Sequence, residues 1–182
     1  MARINKTKFA ILGCLSIQSM SAYEIKNFMA QSTAYFWMEH EAQLYPTLAK
    51  MHEEKLISCR EEKAQKAGIR KIYKISSLGL VALKQWLMEP SESVNYRNEF
   101  LLKLFFSDKI DKKIVLQQLE VQEATLKQQL LLFNAIEKEL ELASVKNNRR
   151  VFIKATLSYG VFATTAEIEW CIETKKMIAK LK

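Results

Sequence analysis

Glycine and proline are scarce here: four Gly and two Pro in 182 residues. So few chain breakers leave little room for linkers or disorder, and 49% hydrophobic content suits a globular protein with a substantial core. Cysteine is also rare. Cys14, Cys59 and Cys171 are odd in number, widely spaced and without a CxxC pair. That pattern fits reduced thiols and argues against a disulfide framework or a zinc site. The only histidines, His40 and His52, have no metal-ligand spacing, and no phosphate-binding glycine loop or nucleophile elbow appears. An enzyme is therefore the least supported class, and no metal or cofactor is expected. No apolar run approaches the length of a membrane span. Arg3, Lys6 and Lys8 ahead of Ile11-Leu12-Gly13-Cys14 imitate a lipoprotein leader. Too few apolar residues precede Cys14 to form a signal-peptide core. The expectation is a cytoplasmic protein with no membrane partner.

Basic charge is present in excess. The net charge is +8 and the isoelectric point about 9.3, a balance that suits a polyanionic partner. The excess is uneven. Residues 1–89 hold 13 Lys/Arg against 8 Asp/Glu, and residues 90–182 hold 15 against 12. Residues 60–74 alone hold six basic and two acidic side chains.

The stretch from Glu39 to Ile57 organises the rest. Leu44, Leu48 and Met51, with Leu56 near the end, fall close to a period of 3.6, so one face points into a core. The opposite face is expected to carry Gln43, Tyr45, Thr47, Lys50 and Glu54. Pro46 is best tolerated in a first helical turn, which predicts a helix start near Gln43 or Leu44. Tyr45 and Thr47 would then sit at the end that a recognition helix shows to base edges. Tyr45 and Thr47 both packed inward would sink this reading.

Before this helix, Lys8–Ile17 reads as a short buried helix. Ser21 with Glu24 is a capping box that opens a second helix, whose apolar face is expected at Tyr23, Ile25, Phe28 and Met29. Leu56–Glu62 and Ile69–Ile75 read as strands joined by a turn over Lys63–Gly68. A basic hairpin directly after a helix-turn-helix order is the winged-helix layout, with Lys63, Lys66, Arg70 and Lys71 as candidates along the phosphates. Ser76 or Ser77 caps a helix over Leu78–Met88. Glu89-Pro90-Ser91-Glu92-Ser93 is the one linker-like stretch and sets the expected boundary between residues 1–89 and 90–182.

The second half is helical in pattern. Phe100–Phe106 is nearly all apolar, and Asp108 or Asp111 is expected to cap a helix of roughly Lys112–Val145, about 50 Å long. Leu119, Leu126, Phe133 and Leu140 recur every seven positions, with Leu116, Leu130, Ile136 and Ala143 alongside, as in a coiled-coil seam. Asn147-Asn148 is the expected turn. A second long helix over Arg149–Lys180 is expected to carry Phe152, Ala155, Tyr159, Phe162, Ala163, Ala166 and Trp170 on its apolar side. Gly160 inside it costs about 1 kcal/mol relative to Ala, which close approach of another helix would justify. Two long antiparallel helices with such stripes call for a partner, most simply a second copy. Leu119, Leu126, Phe133, Leu140, Tyr159, Gly160, Phe162 and Trp170 are the dimerisation candidates. The fold class is thus mainly α: an N-terminal winged helix-turn-helix with a two-stranded β-wing, then an all-α antiparallel helical dimerisation domain.

Specific motifs now add up. Leu12-Gly13-Cys14-Leu15, Ser21-Ala22-Tyr23-Glu24-Ile25, Phe36-Trp37, Gln43-Leu44-Tyr45-Pro46-Thr47-Leu48 and Arg70-Lys71-Ile72-Tyr73-Lys74-Ile75-Ser76 followed by Gly79 resemble the PadR family of bacterial transcriptional regulators. Glu99–Phe106, Gly160 and Trp170 are similar to the helical C-terminal domain of its virulence-activator relatives. The resemblance covers nearly the whole chain. One position departs: where the family usually has Gly after the recognition helix, this chain has Lys55 in Glu53-Glu54-Lys55-Leu56. Lys55 is either left-handed, at about 1 kcal/mol of strain, or continues the helix and shifts the wing.

The resemblance implies regulation by DNA binding and transfers no ligand. With the helical arms pairing two copies, the expected assembly is a homodimer on double-stranded DNA whose two winged helices read a pseudo-palindromic operator. Tyr45, Thr47 and Lys50 would touch bases or phosphates, and Ser21, Lys26 and Gln43 would set register. Family members are commonly repressors, some relieved by small aromatic ligands such as phenolic acids; others are activators. A ligand site of that kind would lie between the domains, where Phe36, Trp37, Trp86 and Tyr96 are the candidates. Aromatics at such positions are more often plain core. The competing reading is a protein-interaction scaffold that uses the same fold without DNA, against which the basic wing argues.

Overall fold

The computed structural model describes residues 5–38, 41–64, 68–92, 97–142 and 148–181. The chain forms two compact units, Met1–Val94 and Asn95–Lys182.

The first unit begins with α1 (Lys6–Leu15), a short strand β1 (Met20–Ser21), α2 (Ala22–Ser32) and α3 (Glu41–Glu53). The hairpin β2 (Ile57–Ala64) and β3 (Gly68–Ile75) follows, then α4 (Ser77–Met88). Helix α1 starts at Lys6 because the Asn5 side chain accepts from the Lys8 N–H, two residues ahead of the apolar run. Ile11, Leu12, Cys14 and Leu15 from α1 meet Ile25 and Met29 from α2 and Leu44, Leu48 and Met51 from α3 in one core. The Ser21/Glu24 capping box is formed in both directions. Tyr23, expected on the apolar face of α2, is exposed; Ala22 takes the buried position.

The sheet has three antiparallel strands in the order β1-β3-β2, one more than the sequence reading expected. Met20 and Ser21 pair with Tyr73 and Ile72. A two-residue strand carries no periodic signal, so no sequence pattern announces it. In the hairpin, Ile57 pairs with Ile75 and Ala64 with Gly68.

Helix α3 begins at Glu41, earlier than Pro46 suggested. Pro46 therefore lies inside the helix, where its missing N–H forfeits one bond to the preceding turn. The helix ends in a Schellman arrangement: the Leu56 N–H donates to the Met51 carbonyl at 2.9 Å and the Lys55 N–H to the His52 carbonyl at 3.0 Å. Lys55 sits at the left-handed position with φ 58°. The neighbouring chain holds it there. The Ser76 hydroxyl donates to the Lys55 carbonyl at 2.7 Å and accepts from the Gly79 N–H at 3.0 Å, capping α4. Gly79 is required at this junction, because a Cβ would stand 2.1 Å from the Leu56 carbonyl oxygen.

The second unit contains α5 (Glu99–Phe105), a 3-10 turn (Ser107–Lys109), α6 (Lys112–Leu142) and α7 (Asn148–Ala179). Asp111, not Asp108, caps α6, accepting from the Lys113 N–H at 2.8 Å. Asn148 already belongs to α7; Asn147, Ala143 and Val145 lie outside the described residues. The pairs Lys112–Leu181, Glu123–Lys175 and Glu141–Lys154 run in opposite directions along the chain, so α6 and α7 are antiparallel.

This hairpin corrects the expected seam. Leu119, Leu126 and Phe133 are buried within the chain, against a face of α7 made by Leu157, Gly160, Thr164, Ile168, Cys171 and Thr174. Those α7 positions repeat at three and four residues, the spacing of one helical face packed on a partner helix. Thr and Gly in that row hid it from a reading based on large apolar residues. The α7 stripe read as needing a partner is exposed on the single chain: Phe152, Tyr159 and Phe162 are 71%, 71% and 75% exposed. Leu140 is half-buried, and Trp170 meets Phe100 edge-on at a ring distance of 6.2 Å. Glu123, which interrupts the seam in sequence, is buried between Lys127 and Lys175, each 2.5 Å away. Those two ammonium groups hold its carboxyl below the usual carboxylate range.

Candidate nucleic-acid interface

Helix α3 and the β2–β3 hairpin build the candidate surface. Along α3, Leu44, Thr47, Leu48 and Met51 face inward at spacings of three, four and seven, one continuous helical face. Thr47 is only 5% exposed, which corrects its expected place on the outer face. The physical reason lies in the geometry: a residue three after Leu44 shares its side of the helix. Tyr45 is 56% exposed, and Gln43, Pro46, Ala49 and Lys50 are exposed with it. The outer face is therefore Gln43, Tyr45, Pro46, Ala49 and Lys50. Ala49 escaped the sequence reading because a small apolar residue gives no directional signal. Its place four residues after Tyr45 would have revealed it.

Lys50 lies 3.9 Å from Glu54, which also approaches Lys8 at 3.7 Å. Both are solvated pairs, worth little energetically. On α2, Ser21 is engaged in the capping box and Lys26 is exposed. The helix and the wing are close where Tyr45 approaches Tyr73. Burial first, then the neighbouring Cys59 and Tyr45, raise the Tyr73 phenol above its ordinary value.

The wing carries its charge in two different ways. Lys63 and Lys71 are exposed, and no salt bridge involves either among the described residues. Arg70, by contrast, reaches Glu62 at 3.2 Å and Glu24 at 3.6 Å. Arg60 pairs with the other oxygen of Glu62 at 2.7 Å. These acidic partners were missed in sequence, although the register that sets Glu62 opposite Arg70 makes the pair legible once the turn length is known. Lys66 lies outside the described residues.

The aromatic candidates for a ligand pocket are not all in one place. Trp86 stacks on Phe9 at 4.7 Å with the rings 5° apart, and Trp37 packs on the first unit's core. Phe36 is exposed and stands edge-on to Tyr35. Tyr96 lies outside the described residues. Among the described residues no group of three His, Cys, Asp or Glu could hold a metal, and no helix is long and apolar enough to cross a membrane.

Comparison with known proteins follows the two units. Residues 11–85 match the model of the transcriptional regulator PadR-like family, and residues 96–179 match that of the virulence activator alpha C-terminal region. The negative transcriptional regulator PadR of Bacillus subtilis is 31% identical over 102 residues, a match that covers 54% of this chain and 55% of the relative's length. Two crystal structures of Bacillus subtilis PadR share the fold. The complex with operator DNA superposes with a TM-score of 0.86 at 22% identity, over 96% of this chain and 99% of that one. The complex with p-coumaric acid gives 0.79 at 22% identity, over 95% and 98%.

Proposed function

The chain belongs to the PadR-like family of transcriptional regulators, and from that premise we propose that it binds double-stranded DNA as a homodimer and represses transcription at a pseudo-palindromic operator. The observation that carries this reading is the exposed polar face of α3, with Gln43 and Tyr45 at its N-terminal end and Lys50 in its last turn, beside a hairpin whose Lys63 and Lys71 are in no salt bridge among the described residues. Such an end suits base edges in a major groove, and unpaired lysines on a wing suit phosphates. Ser21 and Lys26 would set register, and Lys66 would join the wing contacts.

The outward row of Phe152, Tyr159 and Phe162 supports dimerisation. Soluble monomers rarely expose contiguous apolar stripes, and a two-fold axis covers each with its twin. Leu119, Leu126, Phe133 and Gly160 then act by stiffening the hairpin that presents this row. Repression is favoured by the name of the Bacillus subtilis relative. Relief by a small aromatic effector is supported by that relative's complex with p-coumaric acid, and the reading places the protein in the cytoplasm with its DNA.

The test is selection of bound duplexes from a random pool, with the full chain at physiological salt and excess mixed genomic DNA. Enrichment of an inverted repeat is expected. If no sequence is enriched, an interaction scaffold becomes the better account. Sedimentation at micromolar concentration should show a dimer, and a monomer there would remove the palindrome from the proposal.

A further inference from the structure

The outer part of the wing is a two-stranded ribbon. Strand β1 pairs with Ile72 and Tyr73 of β3, so among the described residues the rungs Glu61–Lys71, Glu62–Arg70 and Lys63–Ile69 have no third strand beside them. Two-stranded ribbons are the least constrained part of any sheet and twist most freely. Something else must set the angle at which the wing leaves the body.

We propose that Arg70 is a positioning residue that braces the wing against the start of α2, while Lys63 and Lys71 contact phosphates. Arg70 Nη2 lies 3.2 Å from Glu62 Oε2 across the hairpin, and Nη1 lies 3.6 Å from Glu24 Oε1 on α2. Glu24 is itself fixed. Its other oxygen, Oε2, accepts from the Ser21 backbone N–H at 2.7 Å and from the Ser21 hydroxyl at 2.8 Å. Ser21 in turn pairs with Ile72 in the sheet. One carboxylate thus caps the first helix of the helix-turn-helix and receives the guanidinium of the wing. The planar guanidinium can hold two carboxylates at once, which an ammonium group would do with less directional control. The second oxygen of Glu62 is taken by Arg60 at 2.7 Å, so both wing arginines are balanced within the protein. A cation already balanced in this way releases few counterions from DNA, whereas Lys63 and Lys71, in no salt bridge among the described residues, would release about one each.

The proposal rests on the DNA-binding reading, and two measurements separate its failure from that of the reading. The first uses no DNA. In the full chain, Arg70→Ala and Glu24→Gln should both speed exchange of the hydrogen-bonded amides within Glu61–Lys63 and Ile69–Lys71. Gln keeps the capping box, so α2 stays folded. Unchanged exchange in both variants overturns the brace.

The second measurement is affinity for mixed-sequence genomic duplex as a function of salt. Lys71→Ala should lower the slope of log affinity against log salt by about one. Arg70→Ala should weaken binding a few-fold with the slope unchanged. In the Glu24→Gln, Glu62→Gln background, Arg70→Ala should cause no further rise in amide exchange. A slope lowered by about one in Arg70→Ala alone, or the same rise in exchange in both backgrounds, overturns the proposal. If the native protein binds no duplex at any salt, the DNA-binding reading falls, and amide exchange still decides the brace.

Discussion

The ring of Phe133 on α6 fills the space beside Gly160 on α7: a Cβ at position 160 would stand 2.9 Å from Phe133 Cε2. This contact closes the long hairpin in the half nearer the turn between its helices. Gly160→Leu should destabilise the second unit by about 2–3 kcal/mol through overpacking. Phe133→Ala should cost about 3–5 kcal/mol by leaving a cavity. Denaturant unfolding of the single variants and of Gly160→Leu combined with Phe133→Ala tests the pairing. Strictly additive losses would mean that the two residues do not share that space.

Gly79 tolerates even less. Its neighbour is the backbone oxygen of Leu56, which cannot rotate away. Gly79→Ala should cost about 2–3 kcal/mol, since α4 must move off the end of α3. A melting temperature within a degree of the native protein would show that the junction is looser than described.

Lys55 offers the opposite experiment. Its φ of 58° suits glycine, so Lys55→Gly should raise stability by about 0.5–1 kcal/mol, after the added freedom of the unfolded chain is subtracted. The denaturant midpoint measures it. A loss of stability would locate a favourable role in the Lys55 side chain.

On α3, Thr47 and Lys50 should behave differently. Thr47→Val keeps the shape of a buried side chain and should leave sequence preference unchanged. Lys50→Ala should relax preference at a base position, by about 1–3 kcal/mol if the contact is to a base edge, or lower the salt slope if it is to phosphate. Binding-site selection with both variants distinguishes these outcomes. Relaxed preference in Thr47→Val would mean that its hydroxyl reaches DNA after all.

Acid and thiol chemistry give a further check. The Ser21 backbone N–H, followed by the Ser21 hydroxyl, holds the Glu24 carboxyl below its ordinary value of 4.5. A depressed folded-state value contributes stability above pH 4.5 that is lost as pH falls through the folded-state value. Glu24→Gln should therefore flatten stability against pH on the acid side of 4.5 and leave its shape at neutral pH unchanged. Burial raises the Cys171 thiol, and Cys14 is buried as well, whereas Cys59 is partly exposed. Brief alkylation of the native protein should label Cys59 first. Early labelling of Cys171 would contradict the packed hairpin.

Several features were legible from residues alone because their causes are local. Ser21 and Glu24 cap α2 whatever surrounds them, and Leu44, Leu48 and Met51 announce one buried face. The hairpin, its basic charge and the length of the two C-terminal helices follow from alternation, composition and periodicity. These signals are carried by residues within a turn or two of one another.

Other features were decided only in three dimensions. Position 47 could be outside by polarity or inside by spacing, and burial of the α3 face it shares with Leu44, Leu48 and Met51 chose the inside. Leu119, Leu126 and Phe133 repeat as a dimer seam would, yet α7 of the same chain covers them. A heptad row records that a helix needs a partner and carries nothing about which helix supplies it. The ties of Arg70 to Glu24 and Lys55 to Ser76 join residues 46 and 21 positions apart. Sequence determined that Leu44, Leu48, Met51 and the Leu119–Leu126–Phe133 row must be buried, and that Ser21 opens α2. Tertiary structure decided what covers each surface, because burial rewards any apolar neighbour that arrives, and chain geometry alone settles which one does.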